Sequence, residues 1–275
     1  MMRSLLYVPA DSTRFIGKAH VRGSDAIILD LEDSVAPEHK SGARLGLGKS
    51  VAAVGQAGAD VFVRINSGGQ IQLADAIAAC RAGAAGLVIP KVQQPQQLDD
   101  LAYLLSDIEA EMQRPPMQFI ALIEDPGAVL NAAAIATARR LIGLATGGED
   151  LALSLGARPT PAVLHFPKLL VHYAAKAKGL LSLGLLRSVA NYSDLEAIKA
   201  AVDEARGHGF DGATCIHPAI VPLLNAGFSP SDEELAWATR VLDASKSHKN
   251  AFSLDGEMID VPVIARARRI LGRPN

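Results

Sequence analysis

Eight short apolar runs punctuate the chain: Ser4–Val8, Ala26–Leu31, Val61–Ile65, Gly86–Ile89, Phe119–Ile123, Leu141–Ala145, Leu180–Leu185 and Gly212–Ile216. Most are unbroken rather than alternating, as strands read when helices cover both of their faces. The stretches between them carry helical spacing. Leu73–Ala82 is alanine-rich, and Pro95–Glu111 opens on a proline suited to a first turn and repeats Leu98, Leu101, Leu104, Leu105 and Ile108. Leu195–His208 stops at Gly209, a suitable C-terminal cap. Strands alternating with helices in this way predict an α/β protein, a (β/α)8 barrel, with an open doubly wound sheet as the competing arrangement.

The pattern changes after about Ala226. Ser231–Ser245 reads as one helix opened by Ser-Pro-Ser-Asp, a turn is expected around Asp255-Gly256, and an arginine-rich helix covers Pro262–Leu271. The expected division is a barrel over residues 1–228 and a helical extension over 229–275.

Composition narrows the function classes. Of 275 residues, 49% are hydrophobic and 20% charged, enough for a large core, and a net charge of −2 argues against a nucleic-acid or membrane-surface role. Cys80 and Cys215 stand alone in apolar surroundings, so neither a disulfide framework nor a thiolate metal site is expected. The N-terminal MMRSLLYVPADSTR holds too short an apolar run for a signal or a membrane span, and a cytoplasmic location is expected.

The candidate chemistry gathers where strands end. Asp30, Glu32 and Asp33 follow the second run, Arg64 and Asn66 the third, Lys91 the fourth, Glu124 and Asp125 the fifth, Thr146-Gly147-Gly148-Glu149-Asp150 the sixth, and His217 the eighth. In such barrels the C-terminal strand ends form the active mouth. Several carboxylates at one mouth repel one another unless a cation joins them. With no His or Cys at ligand spacing, hard oxygen donors point to Mg²⁺ or Mn²⁺. Arg64 interrupts an apolar strand, and its fork suits either a substrate carboxylate or a structural pair with Glu32 or Asp30. The two glycines of TGGEDLA let backbone approach a ligand, although Gly-Gly also makes plain turns.

These residues fall into motifs. LLYVPAD, DAIILDLEDSVAPEHKSGAR, VRINS, GLVIPKV, ALIEDPGAVLN, TGGEDLA, GFDGATCIHPAIV, FSPSDEE and GEMID follow one another over nearly the whole chain. Together they resemble the citrate lyase β-subunit-like proteins of the HpcH/HpaI aldolase superfamily. The resemblance implies a TIM barrel of the pyruvate-binding kind with a C-terminal lid, assembled as a homotrimer or a dimer of trimers. It places Glu124 and Asp150 on the two Mg²⁺ ligands and Arg64 on the arginine that binds the keto- or hydroxy-acid carboxylate. Gly147, Gly148 and Glu149 would hold the oxyanion or carboxylate beside the metal, with Tyr7 among the substrate-binding residues. Arg14 and Lys18 lie where related lyases put basic residues on CoA phosphates, and an ordinary solvated helix face reads the same. Ile216 and His217 match a segment at the acyl-thioester end, and fixing a turn before Pro218 is the other reading of His217. Asp260 falls on an acid that some relatives deliver from the lid; capping the last helix is its other reading.

Two departures stand out. Glu124-Asp125-Pro126 replaces the Glu-Thr or Glu-Ser common in relatives, and Leu183-Gly184-Leu185 replaces Ala-Ile-Asp. The implied activity is Mg²⁺-dependent cleavage or formation of a C–C bond in a β-hydroxy acyl thioester such as malyl-, citramalyl- or citryl-CoA, the carrier being CoA or an acyl-carrier protein. Competing readings are malate-synthase-type or thioesterase chemistry on the same site, a free-acid aldolase, and a non-catalytic binding subunit. The intact set of Arg64, Glu124 and Asp150 argues against the last.

Overall fold

The computed structural model describes residues 2–187, 193–248 and 250–272. Chain contacts separate two compact units, Met1–Phe228 and Ser229–Asn275. In the first, eight strands alternate with helices: β1 Ser4–Pro9, α1 Thr13–Ala19, β2 Ala26–Asp30, α2 Lys40–Gly55, β3 Asp60–Arg64, α3 Gly69–Arg81, β4 Gly86–Ile89 and α4 Pro95–Glu111. Then follow β5 Gln118–Ile123, α5 Pro126–Leu130, α6 Ala132–Ile135, β6 Leu141–Thr146, α7 Gly148–Ser154, α8 Pro161–Ala177, β7 Leu181–Leu183, α9 Leu195–Gly207, β8 Ala213–Cys215 and α10 Val221–Gly227.

All eight strands are parallel, in the order β7-β6-β5-β4-β3-β2-β1-β8. The two ends of this sheet meet through a bridge between Leu183 and Gly212, with Gly184 N–H donating to Gly212 O at 2.9 Å and Asp211 N–H to Ser182 O at 3.0 Å. The fold is a (β/α)8 TIM barrel, and the open-sheet alternative is discarded.

Two apolar shells hold it. Leu5, Ala26, Ile28, Phe62, Val88, Ile120, Leu122 and Leu183 fill the barrel interior. The alternate residues, such as Leu6, Ile27, Leu29, Val63, Leu87 and Phe119, pack outward against the helices. That division is the period-two alternation of a strand buried on both faces. Gly86 is required by close approach: a Cβ there would lie 2.2 Å from Gln118 O and 2.5 Å from the Phe62 ring.

The apolar run expected over Leu180–Leu185 yields only three strand residues, because Gly184 turns the chain at φ +142°. Few side chains tolerate that backbone, which gives the Leu-Gly-Leu departure a conformational cause. The second unit holds α11 Asp232–Ser245, an antiparallel hairpin of β9 Phe252–Leu254 and β10 Glu257–Ile259, and α12 Val261–Ile270. It has its own small core of Ala238, Val241, Leu242, Ile259 and Ala267, and Arg266 stacks 4.5 Å over the Trp237 ring. Among the described residues, no helix is long and apolar enough to cross a membrane.

Candidate active site

Strand parity decides which side chains reach the mouth. Leu5 faces the interior, and so does Tyr7 two residues on. Ala26 and Ile28 are followed by Asp30, Phe62 by Arg64, and Ile120 and Leu122 by Glu124. The interior column therefore turns from apolar to ionisable in its last layer.

Arg64 is the hub of that layer. Asp30 accepts from its Nε and Nη2 at 2.7 Å each, Asp33 accepts from Nη1 at 3.0 Å, and the Glu32 carboxylate lies 3.1 Å from Nη1. The Tyr7 ring sits beneath, 5.0 Å from the guanidinium carbon. The structural pair anticipated as one reading of Arg64 is thus present, with three carboxylates rather than one. It does not exhaust the guanidinium, because five N–H groups are available and Nη2 keeps one beyond its bond to Asp30. Burial would raise the Asp30 pKa, but the Arg64 hydrogen bonds outweigh it and hold this carboxyl below its ordinary value. Burial likewise works against the Arg64 charge, and the Asp30 bonds reverse that and raise its pKa. Tyr7 is pushed up by burial, with Arg64 opposing.

A second polar layer fixes these loops from behind. Buried Asp75 on α3 accepts from Asn66 N at 2.9 Å, Asn66 Nδ2 at 2.7 Å and Arg44 Nε at 2.5 Å. Lys40 on α2 donates to Asn66 Oδ1 and, at 2.8 Å, to Glu32 O. Two outer helices thereby hold the loops after β2 and β3, which carry Glu32 and Asn66.

Glu124 is buried in a niche made by two backbone features. Lys91 adopts φ +53°, a strained conformation for a side chain of this size, and its N–H donates to Glu124 Oε2 at 2.7 Å. On the other side lies Gly147, where a Cβ would fall 2.6 Å from Glu124 Oε1 and Cγ. Burial raises the Glu124 pKa, the Lys91 N–H opposes it, and the Asp150 charge raises it further. Glu32 is pushed up to about 7 by burial, with Arg64 opposing and Asp33 and Glu124 adding. Glu149 and Asp150 occupy the first turn of α7. The Gly147 N–H is engaged by Ile123 O at 3.1 Å, so this glycine lends the loop space rather than a donor.

Asp30, Glu32, Asp33, Glu124 and Asp150 thus share one mouth with Arg64 and Lys91. The donor set consists of hard oxygens. Among the described residues, no cluster of three His, Cys, Asp or Glu side chains forms a complete metal cage. Mg²⁺ suits what is present, since it is commonly held by one or two carboxylates and completes its shell with water and substrate oxygens.

The other candidates separate in space. Tyr7, Lys18, Ile216 and His217 line a cavity of about 400 Å³ beside α1, together with Phe15 and Arg22, which sequence reasoning missed. Arg14, on the same helix, stacks 5.7 Å over the Phe15 ring. His217 Nδ1 accepts from Ala219 N–H at 3.3 Å, the turn-fixing contact. Asp125 caps α5 by accepting from Ala128 N–H at 2.9 Å, and its carboxylate also takes Gln93 Nε2 at 3.1 Å, which gives this departure a local role. Asp260 caps α12, accepting from Val263 N–H at 3.2 Å.

Residues 3–218 match the HpcH/HpaI aldolase/citrate lyase family. The chain is 33% identical over 276 residues to a citrate lyase subunit beta-like protein of Mycobacterium tuberculosis, covering 98% of this chain and 94% of the relative. It is 34% identical over 279 residues to a (3S)-malyl-CoA thioesterase of Cereibacter sphaeroides, again covering 98% and 94%. Among solved structures it resembles the protein CitE of Mycobacterium tuberculosis in complex with magnesium, acetoacetate and coenzyme A. That likeness has a TM-score of 0.79 and 33% identity, and covers 98% of this chain and 97% of the other.

Proposed function

The chain belongs to the HpcH/HpaI aldolase/citrate lyase family, and on that premise we propose that it is a Mg²⁺-dependent carbon–carbon lyase acting on a β-hydroxy acyl thioester. The products are a keto acid and a shorter acyl thioester, and the reverse condensation uses the same site. The observation that carries this reading is the mouth itself: Glu124 in its Lys91–Gly147 niche, with Asp150 close enough to raise its pKa, beside an arginine anchored by Asp30.

Glu124 and Asp150 are the ligands assigned to the ion. Magnesium, when bound, supplies polarisation of the oxygen on the carbon that becomes the ketone. Arg64 binds the neighbouring carboxylate through N–H left over from Asp30, and Asp30, held in turn by Glu32 N–H and Ser34 N–H, fixes the fork against the Tyr7 ring. Lys91 N–H keeps the Glu124 carboxylate aimed. The first turn of α7, from Gly148 through Glu149, takes the oxyanion side of the substrate. Lys18, Ile216 and His217, with Arg14 on the same helix as Lys18, receive the thioester carrier in and around the α1 cavity. Asp260 is assigned the proton transfer at the enolate carbon, and the assembly is assigned as a homotrimer or a dimer of trimers.

Hydrolysis of the thioester is the second reading, favoured by the relative named as a malyl-CoA thioesterase. Product balance separates the two. Malyl-, citramalyl-, methylmalyl- and citryl-CoA are offered with and without Mg²⁺, and keto acid, thioester and free CoA are quantified separately. A lyase yields keto acid with the shorter thioester intact; free CoA released without keto acid overturns the lyase reading.

A further inference from the structure

The last rung between the ends of β2 and β3 is not made by backbone alone. Leu31 N–H donates to Arg64 O at 2.9 Å. In a regular parallel ladder the Leu31 carbonyl would then accept from the N–H two residues past Arg64, that of Asn66. The buried Asp75 carboxylate takes that N–H instead, at 2.9 Å. Leu31 O accepts from the Asn66 side-chain amide, Nδ2, also at 2.9 Å. A side chain therefore closes the sheet here, and a substitution can remove it, as it could not remove a backbone group.

The rung braces the residues that grip the arginine. Leu31 lies between Asp30, which accepts from Arg64 Nε and Nη2 at 2.7 Å each, and Glu32, whose carboxylate lies 3.1 Å from Nη1. Asn66 follows Arg64 by two residues on the neighbouring strand end. One buried amide thus ties the acidic side of the grip to the basic side. The amide is itself held from two helices. Asp75 Oδ2 accepts from Nδ2 at 2.7 Å, and Lys40 donates to Oδ1 and, at 2.8 Å, to Glu32 O. Arg44 Nε on α2 anchors Asp75 at 2.5 Å. Both Nδ2 hydrogens are committed, to Leu31 O and to Asp75, so this amide has no donor left for a ligand.

Resting on the lyase reading above, in which Arg64 clamps the substrate carboxylate, we infer that Asn66 is a positioning residue for that clamp. Its side-chain rung fixes the spacing between the Asp30–Glu32 segment and the end of β3, and with it the direction in which the guanidinium presents its remaining N–H. Asp75 and Lys40 hold the rung in place. The carboxylates assigned to the metal stand outside this brace, since Glu124 follows β5 and Asp150 lies in α7.

The test is binding, so that it stands apart from turnover. Mg²⁺, and then pyruvate at saturating Mg²⁺, are titrated into the full-length protein as wild type, Asn66→Ala, Lys40→Met and Arg64→Lys. Asn66→Ala removes the rung. Lys40→Met, at a partly exposed side chain, loosens it while Asp75 keeps its partners. Each should weaken pyruvate binding about 2- to 10-fold, the worth of one hydrogen bond, and leave Mg²⁺ affinity unchanged. Arg64→Lys keeps a cation among the acids without the fork. On that background Asn66→Ala should weaken pyruvate binding less than it does in the wild type, because its effect passes through the guanidinium, whereas a purely structural role predicts equal losses. Unchanged pyruvate affinity in folded Asn66→Ala, or in Lys40→Met should Asn66→Ala not fold, overturns the inference. So does an equal loss of Mg²⁺ and pyruvate binding, or full additivity with Arg64→Lys. Unchanged pyruvate affinity in Arg64→Lys alone overturns the clamp itself, a failure of the lyase reading that the other outcomes do not produce.

Discussion

Replacing Gly147 with alanine isolates the niche around Glu124. The backbone there lies at φ −76°, ψ 94°, open to any L-residue, so the substitution carries no conformational penalty of its own. Its cost is steric. The new Cβ would fall 2.6 Å from Glu124 Cγ and Oε1 and 3.0 Å from Cδ, whereas carbon atoms rest about 3.5–4.0 Å apart. Either the Glu124 carboxylate swings away, giving up its 2.7 Å bond from Lys91 N–H, or the loop leading to Asp150 shifts. Overpacking costs about 1–3 kcal/mol, and a hydrogen bond to a charged group is worth about 1.5–3 kcal/mol. The two are alternatives, since a carboxylate that swings relieves the clash. A loss of about 1–3 kcal/mol is therefore expected, which weakens metal binding roughly 5- to 150-fold. Calorimetric titration of Mg²⁺ or Mn²⁺ into metal-free protein reads this directly, with a thermal melt to confirm folding. A folded Gly147→Ala variant that binds the ion as tightly as wild type would refute the reasoning.

Glu32 makes a pH-dependent prediction. Burial raises its pKa from 4.5 to about 7 in the folded protein. The folded state thus holds this proton more strongly than the unfolded chain, and the stability it contributes is lost as pH rises through that window. The melting temperature of metal-free Glu32→Gln, relative to wild type, should climb between about pH 5 and pH 8; a constant difference contradicts this. Asp30→Ala removes two 2.7 Å bonds from the Arg64 guanidinium but leaves it beside Glu32 and Asp33, and should cost about 1.5–3 kcal/mol in urea unfolding; a loss within error of zero would show that the pair is dispensable. The double variant Arg14→Ala/Lys18→Ala should raise KM for a CoA thioester and leave keto-acid binding unchanged, and equal effects on both would remove these residues from the carrier site.

Much of the barrel is legible because strands covered on both faces must be apolar throughout, and Ala26–Leu31 or Gly86–Ile89 contain little else. Helix α2 is obscured by Gly42, Gly46 and Gly48, and α8 by Pro167 within it. Tertiary packing against the barrel overrides the weak local propensity at both. In the mouth, charged residues at strand ends are visible in sequence, but their mutual arrangement is not. That three carboxylates meet Arg64 depends on the parity of β2 and β3 and on the loop after β2. The backbone contribution of Lys91 depends on a dihedral angle that carries no residue signature. Asp75 did leave a trace, a lone charge within the apolar helical stretch LADAIAAC. Such a charge is buried only when partners lie elsewhere in the chain.

The central claim is that Glu124 and Asp150 hold the ion on which C–C cleavage depends. It is tested most directly by measuring keto-acid release from a malyl or citramalyl thioester against Mg²⁺ concentration, for wild type, Glu124→Gln and Asp150→Asn. The account predicts saturable Mg²⁺ dependence in the wild type, abolition by chelator, and no metal-dependent release from either variant. Release from wild type that persists under chelation, or a variant that matches its Mg²⁺ response, would contradict it.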